Sequence, residues 1–128
     1  MALILVVDDC EPERHTLRRM LESRQHRVVM AEGRLEGLEL WRQRGADLVM
    51  LDLQLPDRDA IDTVVQFRAA APELPIIAMA SGDRSGLDVL ADAYLLGVKA
   101  VLPKPFHLHQ VLDLVARVLG TDEASEAG

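Results

Sequence analysis

Five side chains in this sequence are of the types that handle a phosphoryl group together: Asp8, Asp9, Asp52, Ser81 and Lys104. Each follows or ends a short apolar run, where a strand would give way to a loop. Three carboxylates gathered at ~4–5 Å repel one another by about 3–4 kcal/mol per pair at an effective dielectric of ~20. One lysine cannot offset three such charges. A divalent cation can, and an all-oxygen ligand set suits Mg²⁺ or Mn²⁺. Such a metal keeps several waters and completes its shell with phosphate oxygens. Lysine adds a compact point charge, and serine adds a hydroxyl donor. A carboxylate is an established nucleophile for such a step. The parts suit phosphoryl transfer, in which positioning and charge neutralisation carry the catalysis. Of the 14 basic residues only Lys99 and Lys104 are lysines. A lysine at 104 in so Arg-rich a chain suggests that a point charge is wanted there, not a fork.

These residues work together only if the fold converges them. Leu3–Val7, Val28–Ala31, Leu48–Leu51, Ile76–Met79 and Ala100–Leu102 read as strands, short and apolar on both faces as buried parallel strands are. Helical spacing links Leu17, Met20 and Leu21, with Arg14, Arg18 and Glu22 on the other side. It also links Leu35, Leu38 and Trp41, then Ile61, Val64, Val65 and Arg68 before Pro72. Leu87, Leu90 and Tyr94 precede Gly97, and Leu108, Val111, Leu112, Val115 and Leu119 precede Gly120. Strict alternation implies an α/β fold: a flavodoxin-like, doubly wound (βα)5 sheet, parallel, with helices on both faces. For five strands the expected order is 2-1-3-4-5, with ligands at the carboxyl ends around the switch point. Asp8, Asp9, Asp52, Ser81 and Lys104 then share one edge of the sheet.

The chain has 128 residues, one domain's worth, and that length buries roughly two-thirds of the unfolded surface. We expect a domain over residues 1–120, with 121–128 as a loose acidic tail or the start of a linker. Charge is 14 basic against 21 acidic, net −7, which argues against direct nucleic-acid binding. Cys10 is the single cysteine and cannot form an internal disulfide, which fits a reducing compartment. No apolar run approaches ~20 residues, so no membrane association is expected. The first residues lack the basic start and cleavage site of a signal peptide. The expected location is cytoplasmic.

With the residues placed, the sequence closely resembles the receiver family of two-component signalling, in the single-domain form of the chemotaxis regulators. The resemblance runs from about Leu3 to Leu119. Its marks are Ile4–Asp9 (ILVVDD), Asp47–Asp57 (DLVMLDLQLPD), Pro75–Gly82 (PIIAMASG) and Lys104–Phe106 (KPF). The resemblance implies a phosphoacceptor at Asp52 and direct metal ligation by Asp9 and Asp52. It implies that Asp8 binds through water and that the Gln54 backbone carbonyl completes the protein ligands. Ser81 and Lys104 would hold phosphoryl oxygens, and the Lys104–Pro105 bond would be cis. The implied partners are a histidine kinase or phosphotransfer protein and an output protein or attached domain on the helix 4–strand 5–helix 5 face. The implied state is a monomer or weak dimer. Such a module catalyses its own phosphorylation and hydrolysis without turning over an external substrate, and so is not expected to be an enzyme. Departures from the family pattern are Arg58 for an apolar residue, Ala60 for glycine, and Val101 for the switch aromatic.

Other readings are weaker. A haloacid dehalogenase-type phosphatase needs a second Asp two residues after its nucleophile, where this chain has Gln54. A flavin-binding electron carrier needs neutral amides after strand 1, where Asp8-Asp9-Cys10-Glu11 would repel a phosphate. A scaffold that is never phosphorylated would not need the complete set of site residues. His107 and His109 lack a third ligand. Cys10 is incidental, and Arg14, Arg18 and Arg19 read as a solvated helix face that in receivers also docks the phosphodonor. Trp41 and the leucine stripes read as core. Gln54 and Asp83, two residues beyond Asp52 and Ser81, border the hydrolytic water by family resemblance.

Overall fold

The computed structural model describes residues 1–54 and 60–120. The tail expected over 121–128 and the Arg58 position lie outside the described residues. Five strands, β1 (Leu3–Val7), β2 (Arg27–Ala31), β3 (Leu48–Asp52), β4 (Ile76–Ser81) and β5 (Ala100–Lys104), alternate with five helices. The helices are α1 (Glu11–Glu22), α2 (Arg34–Arg44), α3 (Ala60–Ala70), α4 (Arg84–Leu95) and α5 (Leu108–Leu119). All pairings are parallel and the order is β2-β1-β3-β4-β5, as expected from the alternation.

Successive strand residues point to opposite faces, and the core divides accordingly. Leu5, Val7, Val49, Leu51, Ile76 and Ala78 meet Leu38, Val64, Phe67, Leu90 and Ala93 of α2, α3 and α4. Ile4, Val6, Leu48, Met50, Ile77 and Met79 meet Leu17, Leu21, Val111 and Val115 of α1 and α5. Each fully buried side chain of this size contributes roughly 1.5–3 kcal/mol relative to exposure. Near-continuous apolar sequence in β1, β3 and β4 follows from burial on both faces. The edge strand β2 differs: only Ala31 is fully buried.

Two readings of the helices need correction. Arg14 is not solvated: it is 8% exposed, and its Nη1 donates to the Asp8 carbonyl at 2.7 Å. The fork reaches a main-chain acceptor that a helix-face argument cannot see. The leucine stripes are not all core either. Leu35 is 68% exposed, and Leu87, Val65 and Leu108 also face solvent. In α2 the inward positions fall to Arg34, Gly37 and Leu38, with Trp41 packed half-buried at their edge. Arg34 takes an inward place because Asp62 of α3 lies 3.8 Å away. Phe67, which the α3 spacing passed over, is fully buried. Ala60 opens α3, and Gly120 closes α5 in the left-handed region at φ 72°, the conformation that favours glycine.

At the end of the sheet opposite the strand carboxyl termini, His26 Nδ1 accepts the Ala2 N–H at 3.1 Å. Burial, reinforced by the chain-start ammonium and Arg24, pushes the His26 pKa below 6.5. A histidine depressed in the fold contributes stability that is present above its unfolded pKa and lost as pH falls through the folded value. Wild type should therefore lose Tm relative to His26→Gln as pH falls from ~7 to ~5. Other groups titrate in that window, so the difference between the two melting curves is the readout. Parallel curves would remove His26 from the account.

Candidate functional site

Strand register assembles the site. Val7 pairs with Leu51, so Asp8, the residue that follows β1, comes level with Asp52. Ser81 pairs with Lys104 across β4 and β5. Asp8 is fully buried and Asp52 is 2% exposed. Each uses Oδ1 in the same way: Asp8 accepts the Cys10 N–H and Asp52 the Gln54 N–H, both at 2.9 Å. These local turns, typical of Asp after a strand, fix both carboxylates and leave Oδ2 turned to Lys104. Lys104 Nζ lies 3.3 Å from Asp8 Oδ2 and 3.1 Å from Asp52 Oδ2. The Lys104–Pro105 bond is cis, as the resemblance implied.

A third carboxylate, missed in the sequence, completes the group. Glu13 Oε1 also contacts Lys104 Nζ, and oxygens of Asp8, Glu13 and Asp52 lie within 4.8 Å of one another. Glu13 occupies the first turn of α1, where an acidic residue reads as a partner of the helix dipole. Its place five residues after Asp8, at the start of a helix returning over the strand ends, was the available signal. Asp9 is exposed and stands outside the group of three.

The electrostatics follow from crowding. Burial, with Asp52 beside it, pushes the Asp8 carboxyl up to about 7, against the Cys10 N–H and Lys104. Burial alone would lower Lys104, but Glu13, Asp52 and Asp8 together hold its pKa above the ordinary lysine value. Burial also works upward on Glu13, and the Lys104 ammonium outweighs it, keeping Glu13 below the usual carboxylate range. A carboxylate has about four lone-pair positions, so each of these keeps acceptor capacity for a cation. The donor set is all oxygen and over-supplied with negative charge, which fits Mg²⁺ or Mn²⁺.

Ser81 faces a different partner. Its hydroxyl donates to Asp83 Oδ1 at 2.8 Å and accepts from Gln54 Nε2 at 3.1 Å. Its N–H donates to Gln54 Oε1 at 2.6 Å. Asp83 Oδ1 also accepts the Gly86 N–H at 2.8 Å, capping α4. The Gly86 N–H first, and the Ser81 hydroxyl second, hold the Asp83 carboxyl below its ordinary pKa. Both neighbouring glycines serve close approach. A Cβ on Gly86 would lie 1.9 Å from the Ser81 carbonyl oxygen, and one on Gly82 2.7 Å from the Lys104 carbonyl oxygen. His107 and His109 are exposed at the start of α5, where the His107 N–H donates to Gln110 Oε1 at 3.2 Å.

Residues 4–116 match the model of the response regulator receiver domain. The chain belongs to that family. It is a receiver domain of two-component signalling, and relatives agree. It is 36% identical to a response regulator MprA of a Mycobacterium species (strain KMS) over 85% of this chain and 46% of the relative. It is 35% identical to MprA of Mycolicibacterium vanbaalenii over 97% and 54%. The chain thus spans about half the length of these curated relatives. Among solved structures, the receiver domain of NtrX from Brucella abortus superposes with a TM-score of 0.86 at 25% identity, over 92% of this chain and 98% of that one. The chemotaxis protein CheY4 of Vibrio cholerae shares the fold at a TM-score of 0.79 and 22% identity, over 92% and 98%. The receiver reading of the sequence is thereby established. Among the described residues no helix is long and apolar enough to cross a membrane.

Proposed function

We propose that this receiver domain accepts a phosphoryl group on Asp52 from a histidine kinase or phosphotransfer protein, in a Mg²⁺-dependent reaction, and passes the signal through α4 and β5. The observation that carries the reading is the convergence of buried Asp8 and Asp52 on one lysine at the carboxyl ends of β1, β3 and β5. An oxygen of Asp52 forms a bond to phosphorus as the bond from phosphorus to the donor's imidazole nitrogen breaks. The electron pair stays on that nitrogen. Asp8, Asp9, Asp52 and the Gln54 backbone carbonyl would hold the metal, whose charge neutralises phosphoryl oxygens. Lys104 donates to a phosphoryl oxygen, and Ser81 turns its hydroxyl to another. The only turnover is the domain's own phosphorylation and hydrolysis. Incubation with a small acyl phosphate should add one base-labile phosphoryl group with Mg²⁺ and none with a chelator. Equal incorporation under both conditions would overturn the metal-dependent reading.

Gln54 and Asp83 enter through Ser81. They hold its hydroxyl in the unphosphorylated protein, and their removal frees it for the phosphoryl group. One such hydrogen bond is worth about 0.5–1.5 kcal/mol. The double variant Gln54→Ala, Asp83→Ala should keep its acyl phosphate about 3- to 10-fold longer while still being phosphorylated. Decay followed by phosphorus NMR measures this, and an unchanged lifetime dismisses the restraint.

The output face follows from the same contacts. Turning Ser81 toward Asp52 takes one donor from Asp83, the cap of α4. The groove between α4 and β5 is apolar, with Val101 half-buried at its floor and Leu87, Tyr94 and Leu95 exposed at its rim. Valine is stiff at χ1 and carries no ring to swing. The signal therefore leaves as a shift of the 81–83 loop and α4 together, read by an output partner or a second copy.

A further inference from the structure

Glu13 is the member of the acidic group that phosphoryl acceptance leaves without a task. Its position is set twice. The helix that carries it starts at Glu11, and the next residue, Arg14, ties that helix to the Asp8 carbonyl at 2.7 Å. The backbone of Glu13 therefore cannot drift relative to Asp8 without breaking a buried contact. Lysine has three N–H donors, and the Lys104 ammonium contacts three carboxylates: Asp8, Asp52 and Glu13. Its donors are fully engaged. A phosphoryl oxygen that Lys104 is to hold must displace one of the three acceptors.

The three differ in how readily they yield. Asp8 is sealed from solvent and held at Oδ1 by the Cys10 N–H. Asp52 is the residue that carries the phosphoryl group. The Glu13 side chain is 37% exposed, against 0% for Asp8 and 3% for Asp52. It alone can turn to water, and its carboxylate regains hydration when it leaves. We propose that Glu13 is a positioning residue that competes with the phosphoryl group for the Lys104 ammonium, holding the lysine in the unphosphorylated domain and releasing it on phosphorylation. This rests on the assignment of Asp52 as acceptor. Glu13 does not touch the reacting atoms and acts through Lys104. Its carboxylate meets the Lys104 ammonium directly, so it occupies a donor that the phosphoryl oxygen needs. Glu13 thereby sets how much phosphodonor is needed to switch the domain.

The test uses beryllofluoride, a phosphoryl mimic, titrated at saturating Mg²⁺ and followed by fluorine NMR. Glu13→Gln removes the charge and weakens the contact. Glu13→Asp keeps the charge but is one methylene too short for the same reach. Both variants should bind the mimic about 5- to 30-fold more tightly than wild type. If Glu13→Asp behaves as wild type while Glu13→Gln tightens, only the electric field matters and competition by contact is wrong. If neither variant differs from wild type, Glu13 has no hold on Lys104 that counts. Asp52→Asn separates the two levels of the argument. Loss of binding there with silent Glu13 variants defeats this inference alone, whereas wild-type binding by Asp52→Asn defeats the acceptor assignment and this inference with it.

Discussion

Asp52→Asn should incorporate no phosphoryl group under conditions that fully modify wild type. The amide preserves the size of the side chain, and its carbonyl oxygen can still accept the Gln54 N–H at 2.9 Å. What it loses is the anionic oxygen 3.1 Å from Lys104, the nucleophile of the proposed reaction. An amide oxygen does not form a stable acyl phosphate, so the loss is complete and not graded. A second consequence follows from charge. Three carboxylates share one ammonium, and removing one relieves repulsion of about 3–4 kcal/mol per pair at ~4–5 Å and an effective dielectric of ~20, before the loss of the lysine contact is counted. In metal-free buffer the variant should therefore melt no lower than wild type. Intact-protein mass spectrometry and a thermal melt measure both. A fully phosphorylated variant would place the acceptor elsewhere.

Gly86→Ala should be the most damaging single-methyl change at the site. The added carbon would stand 1.9 Å from the Ser81 carbonyl oxygen and 2.5 Å from Ser81 Oγ. The first of these is main chain of β4 and has no rotamer to escape into. The first turn of α4 must lift, which breaks the Asp83 cap to the Gly86 N–H and loosens the packing of Leu90 and Ala93. Overpacking of this kind costs typically 1–3 kcal/mol. Urea denaturation should show the unfolding free energy fall by that amount, through a lower midpoint with little change in slope. The site should respond too: Ser81 loses its Asp83 partner, and resonances of residues 83–101 should shift before any phosphodonor is added. An unchanged midpoint would mean that α4 does not sit against Ser81 as described. Shifts clustered on α1 that spare residues 83–101 would place the output face elsewhere.

Much of this molecule was legible in the sequence because strand burial and strand ends leave strong marks. Two-sided burial forces β1, β3 and β4 to be continuously apolar, so each strand shows up as a short run that stops where the sheet stops. The polar residues at those stops, Asp8, Asp52, Ser81 and Lys104, become neighbours once the order β2-β1-β3-β4-β5 is deduced from the alternation. The contribution of the helices was harder to read. Arg14 and Glu13 look like an ordinary charged face of α1, because spacing reports which residues share a side and not what that side meets. Only packing of α1 over the carboxyl ends of β1 and β5 turns Arg14 onto the Asp8 carbonyl and Glu13 onto Lys104. Leu35 and Phe67 erred in opposite senses for the same reason, since the inward direction of α2 and α3 is set by contact with the sheet. The residues proposed to do the chemistry are thus determined by sequence, through strand-end position and charge. The partner each one keeps before the chemistry begins — Lys104 with Glu13, Ser81 with Gln54 and Asp83 — was decided by tertiary structure, because those contacts join elements whose relative approach no local pattern encodes.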